Sequence, residues 1–418
     1  MPRIKPFYAF RPVMRLQNSV VTRPLENFSL GQARLLVSEN PYSFLHLINP
    51  ALDNPYLRGS RQELIYKKIN ENLEAFIEDK VMQQEEKQCI YIYQVKQDGI
   101  TQTGIWALTH IDDYLKGNIK KHELTVERRE KLLSEYLQQT GIDANPVLIT
   151  YFPNNVVDRL IARYQATKPD VDFIYQDGTQ HLLWRIDALV DLKELVAAFA
   201  EIKSVYIADG HHRIASMAKM ANQKRTLIPN SEHQAFNYFS TAYFNTNQVK
   251  ILAFNRMVKD LAGRSVTQFL NEISKFFMVE QVEESIEPQT IHVFGMYVGQ
   301  SWYKLTPKPP IYDESNPISV LDVSILQDYV LKPILGIEDP RTDARITFEG
   351  GKTSIKELQH QVDNGNYAVA FTLFATSVEQ LIAVADANGV MPPKSTWVEP
   401  KFLVGMLTNL MHSSIPNT

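Results

Sequence analysis

A carboxylate, a glycine, two imidazoles and a guanidinium occupy consecutive positions in Asp209-Gly210-His211-His212-Arg213. The apolar run Val205-Tyr206-Ile207-Ala208 precedes them, and Ile214 to Met220 follows in a helix-forming pattern. A strand, a tight turn and a helix start in that order gather backbone N–H groups and the positive end of a helix dipole, where an anion is favoured. Gly210 supplies the turn; His211, His212 and Arg213 add donors and one permanent charge where a phosphate would sit. The pattern reads as a phosphate cradle. The plainer alternative is that the two histidines cap or pack the helix start. Zinc is disfavoured, because adjacent helical residues face different sides and the single cysteine, Cys89, is remote in sequence.

Two further clusters carry chemistry. In Lys121-His122-Glu123-Leu124-Thr125, Glu123 could take a proton from a substrate hydroxyl and His122 could orient it or contact phosphate. On spacing alone a solvated helix start, with Glu123 near the positive dipole end, is the favoured account of this cluster. In Met391-Pro392-Pro393-Lys394-Ser395-Thr396-Trp397, two prolines stiffen the backbone ahead of Lys394 and the Ser395 and Thr396 hydroxyls, a loop able to grip an anion or simply an exposed turn. Gly350-Gly351-Lys352-Thr353 resembles the end of a P-loop, but Ile346 stands where the pattern needs its first glycine. No G-x-G-x-x-G follows a strand, and no serine sits in a G-x-S-x-G elbow.

The elements that must position these residues are partly readable. Ile69, Leu73 and Phe76 recur at helical spacing between Tyr66 and Phe76. Ile90–Val95 and Thr103–Leu108 predict a hairpin around Gln97-Asp98-Gly99, and Phe173–Tyr175 with Leu182–Ile186 a second around Asp177-Gly178. The charged stretch Thr125–Gln139, with Glu127 four residues before Lys131, predicts a helix, and so does Leu192–Ile202. Strands are expected at Val147–Phe152, Phe236–Phe244 and Val249–Phe254, and a helix at Val266–Phe277. The result is a mixed α/β (α+β) chain of two lobes, 1–232 and 233–418, with a soft boundary in the polar, proline-punctuated stretch near Asn230.

At 418 residues with 44% hydrophobic and 22% charged residues, the chain is long enough for two buried cores. A net charge of −4 argues against a general electrostatic grip on nucleic acid. One cysteine provides no internal disulfide. Met1–Phe7 lacks an apolar signal core, and no stretch approaches the roughly 18 apolar residues of a membrane span. A cytoplasmic protein without a membrane partner is expected.

The motifs also carry a resemblance. Tyr206–Arg213, His122-Glu123-x-Thr125, and Val384-Ala385-Asp386 through Met391–Thr396 with Pro400-Lys401 are similar to the bacterial and archaeal proteins of domain of unknown function family 1015. That family resembles the ParB/sulfiredoxin-like fold, in which a Gly-x-x-Arg turn at a helix start binds nucleotide phosphates. Its free-serine kinases pair an Asp-Gly-His-His-Arg-like turn with an upstream His-Glu. The resemblance implies Glu123 as base, Asp209 as substrate or metal partner, and Gly210, His211, His212 and Arg213 as the phosphate cradle. His122, Thr125, Arg256, Lys394, Ser395 and Thr396 would contact substrate, with the C-terminal lobe closing over the N-terminal one. It implies ATP, ADP or another nucleotide with Mg²⁺, a small-molecule acceptor such as free serine, and kinase chemistry. A nucleotide-binding sensor without transfer, or a phosphohydrolase using the same site, are the alternatives, and a homodimer is left open. The chain departs from the family at Val21–Phe28 and at Phe254-Asn255-Arg256, which bears on substrate choice. Sulfiredoxin chemistry is excluded at the turn, where its cysteine is replaced by His211 and His212.

Overall fold

The computed structural model describes residues 2–59, 61–228, 231, 234–351 and 353–411. They divide into two compact units: Met1–Lys120 with Thr125–Val249 and Pro400–Thr418, and Lys250–Glu399 with Lys121–Leu124.

In the first unit, β1 (Ile4–Lys5) precedes α1 (Gln62–Glu78), which buries Tyr66, Ile69 and Phe76 as the apolar spacing requires. β2 (Ile90–Gln97) and β3 (Ile100–His110) form the first expected hairpin. Its two-residue turn places Asp98 at φ 52° and Gly99 at φ 76°, the left-handed pair that matches strand twist in tight hairpins. β4 (Ile119–Lys120), α2 (Glu127–Thr140), β5 (Val147–Tyr151) and α3 (Asn155–Gln165) follow. Along α2, Lys131 pairs with Glu135 at 3.9 Å. The second hairpin is β6 (Val171–Ile174) with β7 (Gln180–Ile186). Then come α4 (Leu189–Ala200), β8 (Val205–Asp209), α5 (His211–Leu227) and β9 (Tyr238–Asn245).

These strands make a nine-stranded mixed sheet in the order β4-β8-β5-β9-β3-β2-β7-β6, with β1 also paired to β3. β8 runs antiparallel to β5 and parallel to β4. Ile149, Ile207, Ile214, Met217, Leu195 and Phe199 belong to one buried core. α5 buries residues on nearly every side through its first three turns, including His211, Ile214, Ala215, Ser216, Met217, Ala218, Met220 and Ala221. Burying each large apolar side chain contributes about 1.5–3 kcal/mol as an upper figure, so the helix start is held by the core.

The second unit contains β10 (Lys250–Leu252), β11 (Phe254–Val258), α6 (Val266–Ile273), β12 (Phe277–Val282), β13 (Phe294–Val298) and β14 (Ser301–Pro307). β15 (Ile346–Gly350), α7 (Ile355–Asp363), β16 (Val369–Thr372), α8 (Val378–Asp386) and β17 (Trp397–Glu399) complete it. Six strands form an antiparallel sheet, β12-β14-β13-β16-β11-β15, and β10 pairs with β17.

Three expectations need correction. The units do not part at 232/233: β9 is hydrogen-bonded between β5 and β3, so residues 238–245 are integral to the first sheet. Pro229, Asn230, Glu232 and His233 of the expected boundary lie outside the described residues. The single strand Val249–Phe254 is two strands, because the chain changes sheets at Ala253, whose carbonyl accepts the Gly351 N–H at 3.1 Å. The helix from Val266 ends at Ile273, since Phe277 is claimed by pairing with Pro307.

Candidate functional site

Local backbone chemistry builds the turn. The β8–β5 register shifts between Ile207 and Asp209, a bulge that bends a strand just as it ends. Gly210 follows at φ 104°, ψ 28°, where an L side chain is strained. A Cβ there would also lie 2.7 Å from both Nε and Nη2 of Arg213. The guanidinium is thus folded back over the glycine at the head of α5, and the backbone angle favours Gly210 there.

Arg213 donates through Nη2 to Asp209 Oδ2 at 3.1 Å and through Nη1 to the Asn145 side-chain oxygen. Lys401 Nζ stands 3.5 Å from the same Asp209 oxygen. Burial pushes the Asp209 carboxyl up, but Lys401, Arg213 and His211 outweigh it and hold it at about 2. Behind Arg213, Asp143 is buried and accepts the Ser240 N–H at 2.7 Å. Burial raises Asp143 to about 6 despite that N–H, the Arg213 charge and the Asn409 side chain. The arrangement is a positive helix end with two cations around one ionised carboxylate, chemistry suited to an anion with several oxygens.

The expected site residues are only partly used as the sequence suggested. His211 is buried at the helix start. His212, expected as a phosphate donor, has its Nε2 accepting the Val126 N–H at 3.0 Å, next to the start of α2. That acceptor role places the neutral ring proton on Nδ1. Thr125 gives its hydroxyl to the Glu130 carboxylate instead of presenting it to a substrate.

The second unit gathers another set. The His122 carbonyl accepts the Met391 N–H at 2.9 Å, tying the His122–Glu123 segment to the head of the Pro392 loop. His122 is buried. Arg256 donates to the carbonyl of Phe254 and, at 3.1 Å, to that of Lys394, and its guanidinium carbon lies 5.4 Å from the Phe348 ring centroid. Burial lowers its pKa to about 9. Lys394 itself adopts φ 57° with its ammonium 5.6 Å from the Phe254 ring. Ser395, expected to grip an anion, is buried and donates its hydroxyl to the Pro392 carbonyl at 2.5 Å. Thr396 is half-buried in the same loop. Gly350 and Gly351 lie against the Trp397 indole, where a Cβ on Gly351 would be 2.7 Å from Nε1; Lys352 lies outside the described residues.

Sequence reasoning missed Asn145 and Asp143 and assigned no role to Lys401. Asn145 had one usable signal, a polar side chain just before the Val147 strand. Among the described residues no group of three or more His, Cys, Asp or Glu side chains could hold a metal, and no helix is long and apolar enough to cross a membrane.

No curated protein matches the chain. Among solved structures it is similar to a free serine kinase in complex with AMP, at 14% identity and TM-score 0.38 over 71% of this chain and 88% of that one. It is also similar to SbnI with C-terminal truncation from Staphylococcus aureus, at 12% identity and TM-score 0.37 over 74% and 90%. A conserved hypothetical protein from Pyrococcus furiosus matches at 14% identity and TM-score 0.35 over 71% and 91%. TM-scores this low assign no activity to this chain. The family described as "protein of unknown function (DUF1015)" has a model that matches residues 4–324, and the chain belongs to that family.

Proposed function

We propose that this protein is a nucleotide-dependent phosphotransferase whose acceptor is a small hydroxylated metabolite, with free serine the first to test. One observation carries the reading: the Arg213 guanidinium is folded over Gly210 at the head of α5, sharing Asp209 with Lys401. Phosphoryl transfer asks a protein mainly to position reactants and neutralise charge. Arg213 and the α5 dipole would hold phosphate oxygens, and the Asn145 contact fixes the guanidinium plane for them. A Mg²⁺ would enter with the phosphates and use Asp209, in keeping with its habit of taking one or two carboxylates. When bound it would supply charge neutralisation between phosphate oxygens.

In this reading Glu123 is the base that takes the acceptor hydroxyl proton. Two residues separate it from Val126, whose N–H is held by His212. Arg256 serves by bracing the Pro392–Thr396 loop, leaving the exposed Lys394 ammonium as that loop's cation.

The test is a thermal-shift screen of ATP and ADP with and without Mg²⁺, followed by product analysis with free serine and other hydroxylated metabolites. A ligand that binds only the folded state raises the unfolding temperature by mass action. Arg213→Ala abolishes that shift, whereas Glu123→Gln retains it and abolishes transfer. Binding without turnover makes the protein a sensor, and free phosphate without a phosphorylated metabolite makes it a hydrolase. No shift with any nucleotide defeats the proposal.

A further inference from the structure

Lys401 lies beyond residues 4–324 matched by the family model, and it reaches Asp209 by a long route. The chain leaves the first unit after Val249, builds the second, and rejoins the first at Pro400. The returning segment is tied down at specific points. The Val404 N–H donates to the Thr22 carbonyl at 2.8 Å and the Thr408 N–H to that of Phe10 at 2.9 Å. Asn409 and Leu410 pair with Asp143 and Ile142.

Phe402, adjacent to Lys401, is buried among aromatic rings, 5.8 Å from both Tyr93 and Trp106 and 6.0 Å from Phe244. Seating that ring fixes the backbone of its neighbour. The ammonium then meets Asp209 Oδ2 at 3.5 Å, the oxygen that Arg213 contacts at 3.1 Å. The Asp209 side chain is 42% exposed.

We propose that Lys401 is a positioning residue of the phosphate site: it clamps Asp209 through Oδ2 beside Arg213 and makes the returning segment Pro400–Met411 part of that site. The proposal rests on the phosphate-site reading above. The groups facing the Asp209 carboxylate are Lys401 on the returning segment and Arg213 and His211 on α5, with Asp143 behind Arg213. Of the charges opposing the burial of Asp209, Lys401 is the largest. Without it the clamp on Asp209 Oδ2 is halved.

The experiment compares full-length wild type, Lys401→Met, Lys401→Arg and Arg213→Ala by ADP titration calorimetry at pH 7, with urea unfolding in the absence of ADP. Lys401→Met is expected to bind ADP at least about tenfold more weakly at pH 7, the effect of one lost charge-assisted contact. Lys401→Arg restores the affinity. Lys401→Gln carries the same test if the methionine variant does not fold. A lowered urea midpoint with ADP affinity unchanged assigns Lys401 to packing and overturns the proposal. Wild-type binding lost in Arg213→Ala but retained in Lys401→Met removes Lys401 alone. Failure of wild type to bind ADP or ATP removes the phosphate site and this inference together.

Discussion

Arg213 and Arg256 are the same side chain put to opposite uses. Arg213, with its side chain 19% exposed, shares a carboxylate with Lys401 and an amide oxygen with Asn145. Arg256 is 2% exposed, donates to two backbone carbonyls, and has no carboxylate within ion-pair distance among the described residues. A guanidinium spent on main-chain oxygens in the interior braces a loop. One that shares a carboxylate near solvent can exchange partners when an anion arrives, because partly exposed ion pairs contribute only about 0–1 kcal/mol. Burial, more than residue type, separates a brace from a binding group.

The contrast predicts the largest loss at the brace. Arg256→Ala removes two charge-assisted hydrogen bonds and leaves a cavity, with an expected cost of about 4 kcal/mol in urea unfolding. Arg213→Ala should cost about 1 kcal/mol in the same measurement without ligand. Equal losses would erase the distinction between the two.

Each unit also holds a carboxyl raised to about 6, which gives the comparison a pH axis. Burial pushes Asp143 to about 6 in the first unit and Asp322 to about 6 in the second, where Asp322 accepts the His292 N–H at 2.9 Å. A folded-state pKa above the unfolded value of about 4 means that the folded state keeps the proton longer. Stability contributed by each is therefore present at low pH and lost as pH rises from about 4 to about 6, by up to about 3 kcal/mol. Asp143→Asn and Asp322→Asn should each flatten that slope in urea titrations. Arg213→Ala should push the Asp143 limb higher and leave the Asp322 limb in place. Asp209, held near 2, acts in the opposite sense: its contribution is lost only as pH falls below about 4 toward 2.

Two smaller effects sharpen the binding side. Arg213→Ala should weaken ADP binding about a hundredfold, some 2.7 kcal/mol, while Arg256→Met should leave ADP affinity within about threefold (~0.7 kcal/mol) wherever it folds. Gly210→Ala places a methyl against the guanidinium at a left-handed backbone angle, with an expected loss of about 2 kcal/mol in unfolding and a parallel drop in ADP affinity. Unchanged affinity in Gly210→Ala would detach the folded-back Arg213 from ligand binding.

Local chemistry was legible in the sequence where a few neighbouring residues decide it. Asp98-Gly99 fixed a hairpin because both positions need positive φ. Asp209-Gly210 after an apolar run marked the turn because glycine readily adopts its backbone angle. Pairing across the chain was not legible. Val266–Phe277 looks continuous as a helix until β14 claims Phe277, and Val249–Phe254 looks like one strand until two sheets divide it. Ser395 looked available because its hydroxyl partner, the Pro392 carbonyl, appears only once the loop is folded.

By itself, then, the order of residues determined the family, the mixed α/β class, and a strand–glycine–helix turn with an arginine one helical turn on, since these depend on contacts within a few positions. Only tertiary structure decided that Asn145 and Lys401 join that turn, that His212 serves the Val126 backbone, and that Arg256 is a brace. Those outcomes depend on hydrogen bonds between residues as many as 192 positions apart and on which side chains the core shields from water. Neither property has a local signature.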